Sequence, residues 1–137
     1  MKTSKSERGQ SLVELAISLL VILWLLSGAV EFGIAFFQFI QLRDAAQEGA
    51  LYGSLNPSDS MGIEERVRNA STKPIDLGDT SIVAVTVTTS GSGCVADGVT
   101  VEVSYDHPVF MPFATLFMDN PITLTATVTD TILTSTC

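Results

Sequence analysis

The chain has 137 residues, 46% of them hydrophobic, a formal charge of -8 and a mean hydropathy of +0.39. That length accommodates one small domain beside a membrane segment and excludes a second full core. Lys2, Lys5 and Arg8 against Glu7 leave the first nine residues at +2 and the remainder at -10, and with no basic cluster interleaved with aromatics this acidic body excludes nucleic-acid binding.

From Leu15 to Ile40 the sequence runs LAISLLVILWLLSGAVEFGIAFFQFI, with Glu31 its only charge. About 20 apolar helical residues suffice to cross a bilayer. The basic flank of Lys2, Lys5 and Arg8 is expected to stay cytoplasmic, which places everything after the span outside. Glu31 lies in the outer part of the span, where it either reaches the interface or pairs inside an assembly. Gly28 and Gly33 mark either flexible turns or close neighbours.

The helical pattern continues through QLRDAAQEGALYGSL to Asn56-Pro57. A single helix from Gln10 to Leu55 would be about 69 Å long, its first half in lipid and its second half supporting an external domain. Ala45, Gly49 and Gly53 recur at i, i+4, i+8 and form a smooth stripe that admits another backbone. Either the protein's own sheet or a neighbouring subunit can use it.

Beyond the turn residues NPSDSMG, the stretch GIEERVRNAS places Ile63 and Val67 on one face of a short amphipathic helix. SIVAVTVTT (81–89), VTVEVSYD and ITLTATVTDTI (122–132) alternate at period two, with Val99, Val101, Val103 and Tyr105 facing one way and Thr100, Glu102, Ser104 and Asp106 the other. TSGSGCVADG supplies the turn between the first two strands. These three strands predict an antiparallel sheet, and the external half of the long helix is the large apolar cover available to it. The expected fold is α+β: a long N-terminal membrane-spanning helix continuing into a small external domain whose three-stranded antiparallel sheet packs on the helix.

Both cysteines follow the span, on the side where oxidation is permitted. Cys94 sits in the first turn, and a third strand antiparallel to the second returns Cys137 to the same edge, which predicts a Cys94–Cys137 disulfide. Free thiols or a bond to another subunit are the alternatives. The run FMPFATLFM, Phe110 to Met118, is either a partner surface or a crossover that plugs the core beneath the sheet.

The stretch RGQSLVELAISLL joins a basic leader, Gly9, a glutamate at the fifth position beyond it and a long apolar helix, and so resembles a type IV prepilin. More narrowly, that stretch, the second acid in AVEFG and the RDAAQEGALYG stretch on the emerging helix together resemble the TadE-like proteins, minor pilins or pseudopilins of tight-adherence (Flp-type) pilus systems. Leu51 departs from the basic residue expected after the Gly-Ala pair. The resemblance implies cleavage by a leader peptidase between Gly9 and Gln10. It also implies that Glu14 meets the new N-terminal amine of a neighbouring subunit, since a lone charge at mid-bilayer costs about 2.5–3.5 kcal/mol on insertion scales. The implied organisation is a leader at 1–9, a long helix at 10–55 and an external domain at 56–137. The implied partners are the leader peptidase, sister pilins and pseudopilins, the inner-membrane pilus platform and membrane lipid. The implied location is the cytoplasmic membrane, with the assembled pilus as a second site.

Two other classes remain open. Ser27-Gly28-Ala29 fits the small-x-small pattern of ordinary signal peptidase, so a secreted protein, or a plain single-pass anchored extracellular binding protein, is the alternative. An enzyme has little support: His107, the sole histidine, reads as a turn residue beside Asp106, and no second His or nearby Cys completes a metal set. The serines of the GSGSG-like turn lack a strand-turn-helix setting. Asp76 and Asp79 are too few for a calcium site. No cofactor is expected.

Overall fold

Helix α1 runs from Ser4 to Leu55, 52 residues without a proline. It begins earlier than the expected Gln10. Ser4–Arg8 carries no helix breaker, and a single glycine such as Gly9 costs a helix only about 1 kcal/mol. Its end is the expected one, because Pro57 disfavours helical backbone at Asn56. The computed structural model describes residues 4–112 and 114–134, with side chains from residue 9 onward. Met1–Thr3, Phe113 and Ser135–Cys137 lie outside the described residues.

The two halves of α1 differ in surroundings. From Leu12 to Phe37 its large apolar side chains are exposed, Leu20 to 68% and Phe32 to 71%. From Gln38 onward one stripe is buried: Gln38, Leu42, Ala45, Ala46 and Ala50, then Ser54. This is the 3–4 spacing of a helix face laid on a core.

Helix α2 (Ser60–Asn69) starts at an N-cap, Asp59, whose Oδ1 accepts from the Gly62 amide at 3.0 Å. Ile63 and Val67 are fully buried against α1. A loop then returns to α1 and is clamped there by Gln41, whose Nε2 donates to the Ile75 carbonyl at 2.8 Å while its Oε1 accepts from the Ile75 amide at 3.1 Å.

Strands β1 (Val83–Thr89), β2 (Gly98–His107) and β3 (Ile122–Thr131) form an antiparallel sheet in the order β1-β2-β3. Register places Val85 opposite Val103 and Val103 opposite Ala126, with Val87, Val101 and Val128 in the next row. The inner face is therefore the predicted one, and it packs against α1 and α2. Threonines fill the outer face, where Thr100 and Thr129 share a 2.8 Å hydrogen bond. Strand β1 starts two residues later than expected. Asp79 holds Ser81 and Ile82 in a turn, its Oδ1 accepting from the Ser81 amide at 2.9 Å and its backbone carbonyl from the Ile82 amide at 3.3 Å.

The small stripe on α1 is filled from within the chain. A Cβ built at Gly49 would lie 2.5 Å from Val67 Cγ2, and one at Gly53 would lie 3.0 Å from Ile63 Cδ1 and Val99 Cγ2. Ala45 is buried in the same cluster. Backbone approach at these positions is what brings α2 and the sheet onto the helix.

Candidate functional site at the junction of helix and sheet

The inward set of β2 does not stop at Tyr105. His107, the last residue of the strand, shares its parity with Val99, Val101 and Val103, and it is 1% exposed. Its Nε2 lies 2.8 Å from Glu31 Oε1. The two atoms share one proton, and the imidazole tautomer decides which of them donates. Glu31 Oε2 accepts from the Phe110 amide at 3.1 Å. Both oxygens of the acid are thus engaged by the segment that leaves β2. His107 Nδ1 has no hydrogen-bond partner among the described residues.

This corrects one expectation and adds to another. His107 is a buried partner of an acid instead of a turn residue, and the signal that would have found it is the period-two parity of the strand carried one step past Asp106. Glu31, expected either to reach the interface or to pair inside an assembly, has partners within its own chain in His107 and the Phe110 amide. An acid that would be costly in an apolar span is satisfied where the sheet meets the helix.

Beyond His107 the chain makes a long connection to β3, containing a short 3-10 helix, Ala114–Leu116. Its base is closed by Asn120, which accepts from the Val109 amide at 3.0 Å and donates to the Val109 carbonyl at 3.1 Å. Its far part climbs along α1 toward the N-terminus. Trp24 Nε1 donates to the Pro112 carbonyl at 3.2 Å, and the Trp24 and Phe117 rings lie 6.1 Å apart between centroids, tilted by 59°. The run therefore does not plug the core: Phe110, Leu116 and Phe117 are 76%, 72% and 73% exposed.

The remaining predicted residues sit apart from this junction. Gly9, Gln10 and Glu14 lie on the exposed N-terminal part of α1, where Gln10 Nε2 donates to Glu14 Oε1 at 3.1 Å. Asp76 and Asp79 spend their carboxylates on the backbone amides of Gly78 and Ser81. No group of three or more potential metal ligands occurs among the described residues.

At the opposite end of the sheet, Cys94 is disulfide-bonded. Its expected partner, Cys137, lies outside the described residues. The turn around Cys94 is organised by Asp97. Hydrogen bonds from the backbone amides of Cys94, at 3.0 Å, and Ser92, at 2.8 Å, hold that carboxyl below the usual range. The chain after β3 returns to this turn, since the Ile132 amide donates to the Asp97 carbonyl at 2.8 Å. It then reaches the end of α1, where the Leu133 amide donates to the Ser54 carbonyl at 2.9 Å.

The comparison that bears on function falls on the helix. Residues 9–51 match the family described as TadE-like protein. The matched segment contains Gly9, Glu14, Glu31 and the stripe residues Ala45 and Gly49, and it leaves the sheet outside. No curated protein and no solved structure matches the chain. The TadE-like match suggests a pilin-like protein associated with tight-adherence pili. In keeping with it, α1 is long and apolar enough to cross a membrane, which suggests a membrane-anchored protein.

Proposed function

We propose that this chain is a minor pilin or pseudopilin that assembles or initiates a tight-adherence pilus by helix packing and performs no chemistry itself. The observation that carries the reading is the coincidence of the TadE-like match with an exposed apolar helix that bears Gly9 and Glu14 at its start. Residues 1–9 act as a leader removed between Gly9 and Gln10, residues 10–55 as anchor and packing helix, and residues 56–137 as the external domain. The N-terminus faces the cytoplasm and the domain faces outward, as the basic flank dictates.

In this reading Glu14 neutralises the new amine of a neighbouring subunit, a contact strengthened by low dielectric. Gln10, which now bonds Glu14 within the chain, becomes the residue bearing that amine. Glu31 is already paired with His107 and serves the chain's own architecture, which leaves Glu14 as the acid open to a neighbour. The partners are sister pilins and pseudopilins, the leader peptidase and the inner-membrane platform.

Mass spectrometry of the mature N-terminus tests this. The expected result is a chain starting at Gln10. A start at Val30 would mean ordinary secretion, and an intact N-terminus would mean a plain anchor; either overturns the reading.

A further inference from the structure

The connection between β2 and β3 presents an apolar surface that belongs to neither the core nor the sheet. From Pro108 to Met118 it carries no charged residue. Phe110, Leu116 and Phe117 are each more than 70% exposed. In water such a contiguous patch is costly, and its presence marks a contact surface.

Its position says what it contacts. Glu31 and His107 fix the base of the connection, and Phe117 packs on Trp24. Trp24 lies about 10 Å along the helix axis from Glu31, toward the N-terminus. Phe117 and Leu116 thus lie beside Leu20 and Trp24 on a helix stretch whose own side chains are exposed and apolar. Whatever surrounds Leu20, 68% exposed, also surrounds the tip of the connection.

Part of the connection's backbone is satisfied within the protein. Pro108 and Pro112 have no amide hydrogen. The amides of Val109, Phe110, Ala114, Phe117 and Met118 donate within the protein, to Asn120, Glu31, the Met111 carbonyl and, for the last two, the Ala114 carbonyl. The Pro112 carbonyl is taken by Trp24. These bonds satisfy part of the connection and so lower the cost of placing irregular backbone at the lipid interface.

We infer that the β2–β3 connection is a second membrane contact, inserting Phe110, Leu116 and Phe117 into the outer leaflet beside the Trp24 turn of α1. A depth of about 10 Å below Glu31 matches that of interfacial anchors. Trp24, with a ring suited to the headgroup level, ties the inserted tip to the spanning helix. The contact fixes the height and rotation of the external domain relative to the bilayer. It rests on the proposed crossing of the membrane by α1.

The test is photocrosslinking of the full chain in phosphatidylcholine vesicles, with p-benzoylphenylalanine placed singly at Leu20, Leu116, Phe117 or Leu133, all exposed positions. Lipid adducts are read by mass spectrometry. Adducts are expected at Leu116 and Phe117 within about threefold of the Leu20 yield and about tenfold above Leu133, which lies at the far end of the domain. Adducts at Leu20 alone would overturn the inference and leave the anchoring of α1 standing. No lipid adduct at Leu20 would overturn both. Crosslinks from Leu116 and Phe117 to a second copy of the chain in place of lipid would also overturn it, making the connection a subunit surface.

Discussion

His107 Nε2 sits 2.8 Å from Glu31 Oε1, a contact that joins the last residue of β2 to the middle of α1 across 76 residues of sequence. It is the lower attachment of the external domain, and the buried stripe from Gln38 to Ser54 is the upper one. With both in place the sheet is held to the helix at two points along its length.

The pair should behave as a coupled unit. Glu31→Ala strands a buried imidazole, and His107→Ala removes one of the two partners of the acid, so each should destabilise the domain by about 1–3 kcal/mol. The double substitution should cost less than the sum, with a coupling of about 1–2 kcal/mol. Thermal unfolding of the wild type and the three variants in detergent micelles measures this, and strict additivity would show that the contact contributes nothing.

The stripe on α1 should be intolerant in a graded way. At Gly49 a new methyl would meet the stiff Val67 side chain at 2.5 Å, so Gly49→Ala should cost about 1–3 kcal/mol by overpacking. At Gly53 the contacts are 3.0 Å, one of them to the flexible end of Ile63. The gain in helix propensity of about 1 kcal/mol should nearly offset that crowding. Melting temperatures of the two variants give the comparison, and equal losses would contradict it.

Much of this architecture was legible in the sequence, for local reasons. Alternation from Val99 to Tyr105 set the inner face of the sheet, and the spacing of Ile63 and Val67 set the buried face of α2; both follow from the period of a single element. The helix boundary at Asn56-Pro57 was equally local. What escaped depends on long-range placement. His107 resembles a turn residue in sequence because Asp106 and Pro108 flank it, and nothing near Glu31 in sequence announces a partner beyond residue 100. The apolar run from Phe110 to Met118 resembled core by composition alone, and its climb along α1 is decided by Glu31, Asn120 and Trp24 acting together.

Acid should loosen the two turns built on aspartates. The Asp79 carboxyl is held below its ordinary value near 3.8 by hydrogen bonds from the Ser81 hydroxyl and amide. Asp97 is held low by the amides of Cys94 and Ser92. A depressed folded value means that the stabilisation is fully present above the unfolded value and is lost as pH falls through the folded one. Unfolding midpoints should therefore be insensitive to these groups at neutral pH and should fall below about pH 4. Asp97→Asn and Asp79→Asn should each flatten that acid limb, and a limb unchanged in both would contradict the assignment.

Assembly should depend on Glu14 more than on Glu31. Among the described residues Glu14 bonds only the neutral Gln10 side chain, at 3.1 Å on the exposed helix, whereas Glu31 has partners for both oxygens. Glu14→Ala should leave leader cleavage, membrane insertion and domain stability unchanged while lowering incorporation into pili or initiation complexes by about tenfold, the loss of one charge pair in a medium of low dielectric. Normal incorporation measured by crosslinking to partner pilins would contradict the role given to Glu14.

The last prediction concerns the C-terminus. Cys94 is disulfide-bonded, and Cys137 is the other cysteine of the chain. The segment after β3 passes the Cys94 turn, because the Ala96 amide donates to the Ile132 carbonyl at 3.1 Å and Thr134 Oγ1 donates to the Leu55 carbonyl at 2.9 Å. A Cys94–Cys137 bridge would lock that segment across the end of α1, and closing a loop of this length stabilises by about 4 kcal/mol in the chain-entropy model. Digestion without reductant should release one linked peptide pair containing both residues. Cys94→Ser should lower the unfolding midpoint about as much as Cys137→Ser, with the double substitution no worse than either alone. A dimer that reductant dissolves, or thiols alkylated without reductant, would show that the bond is not made within the chain.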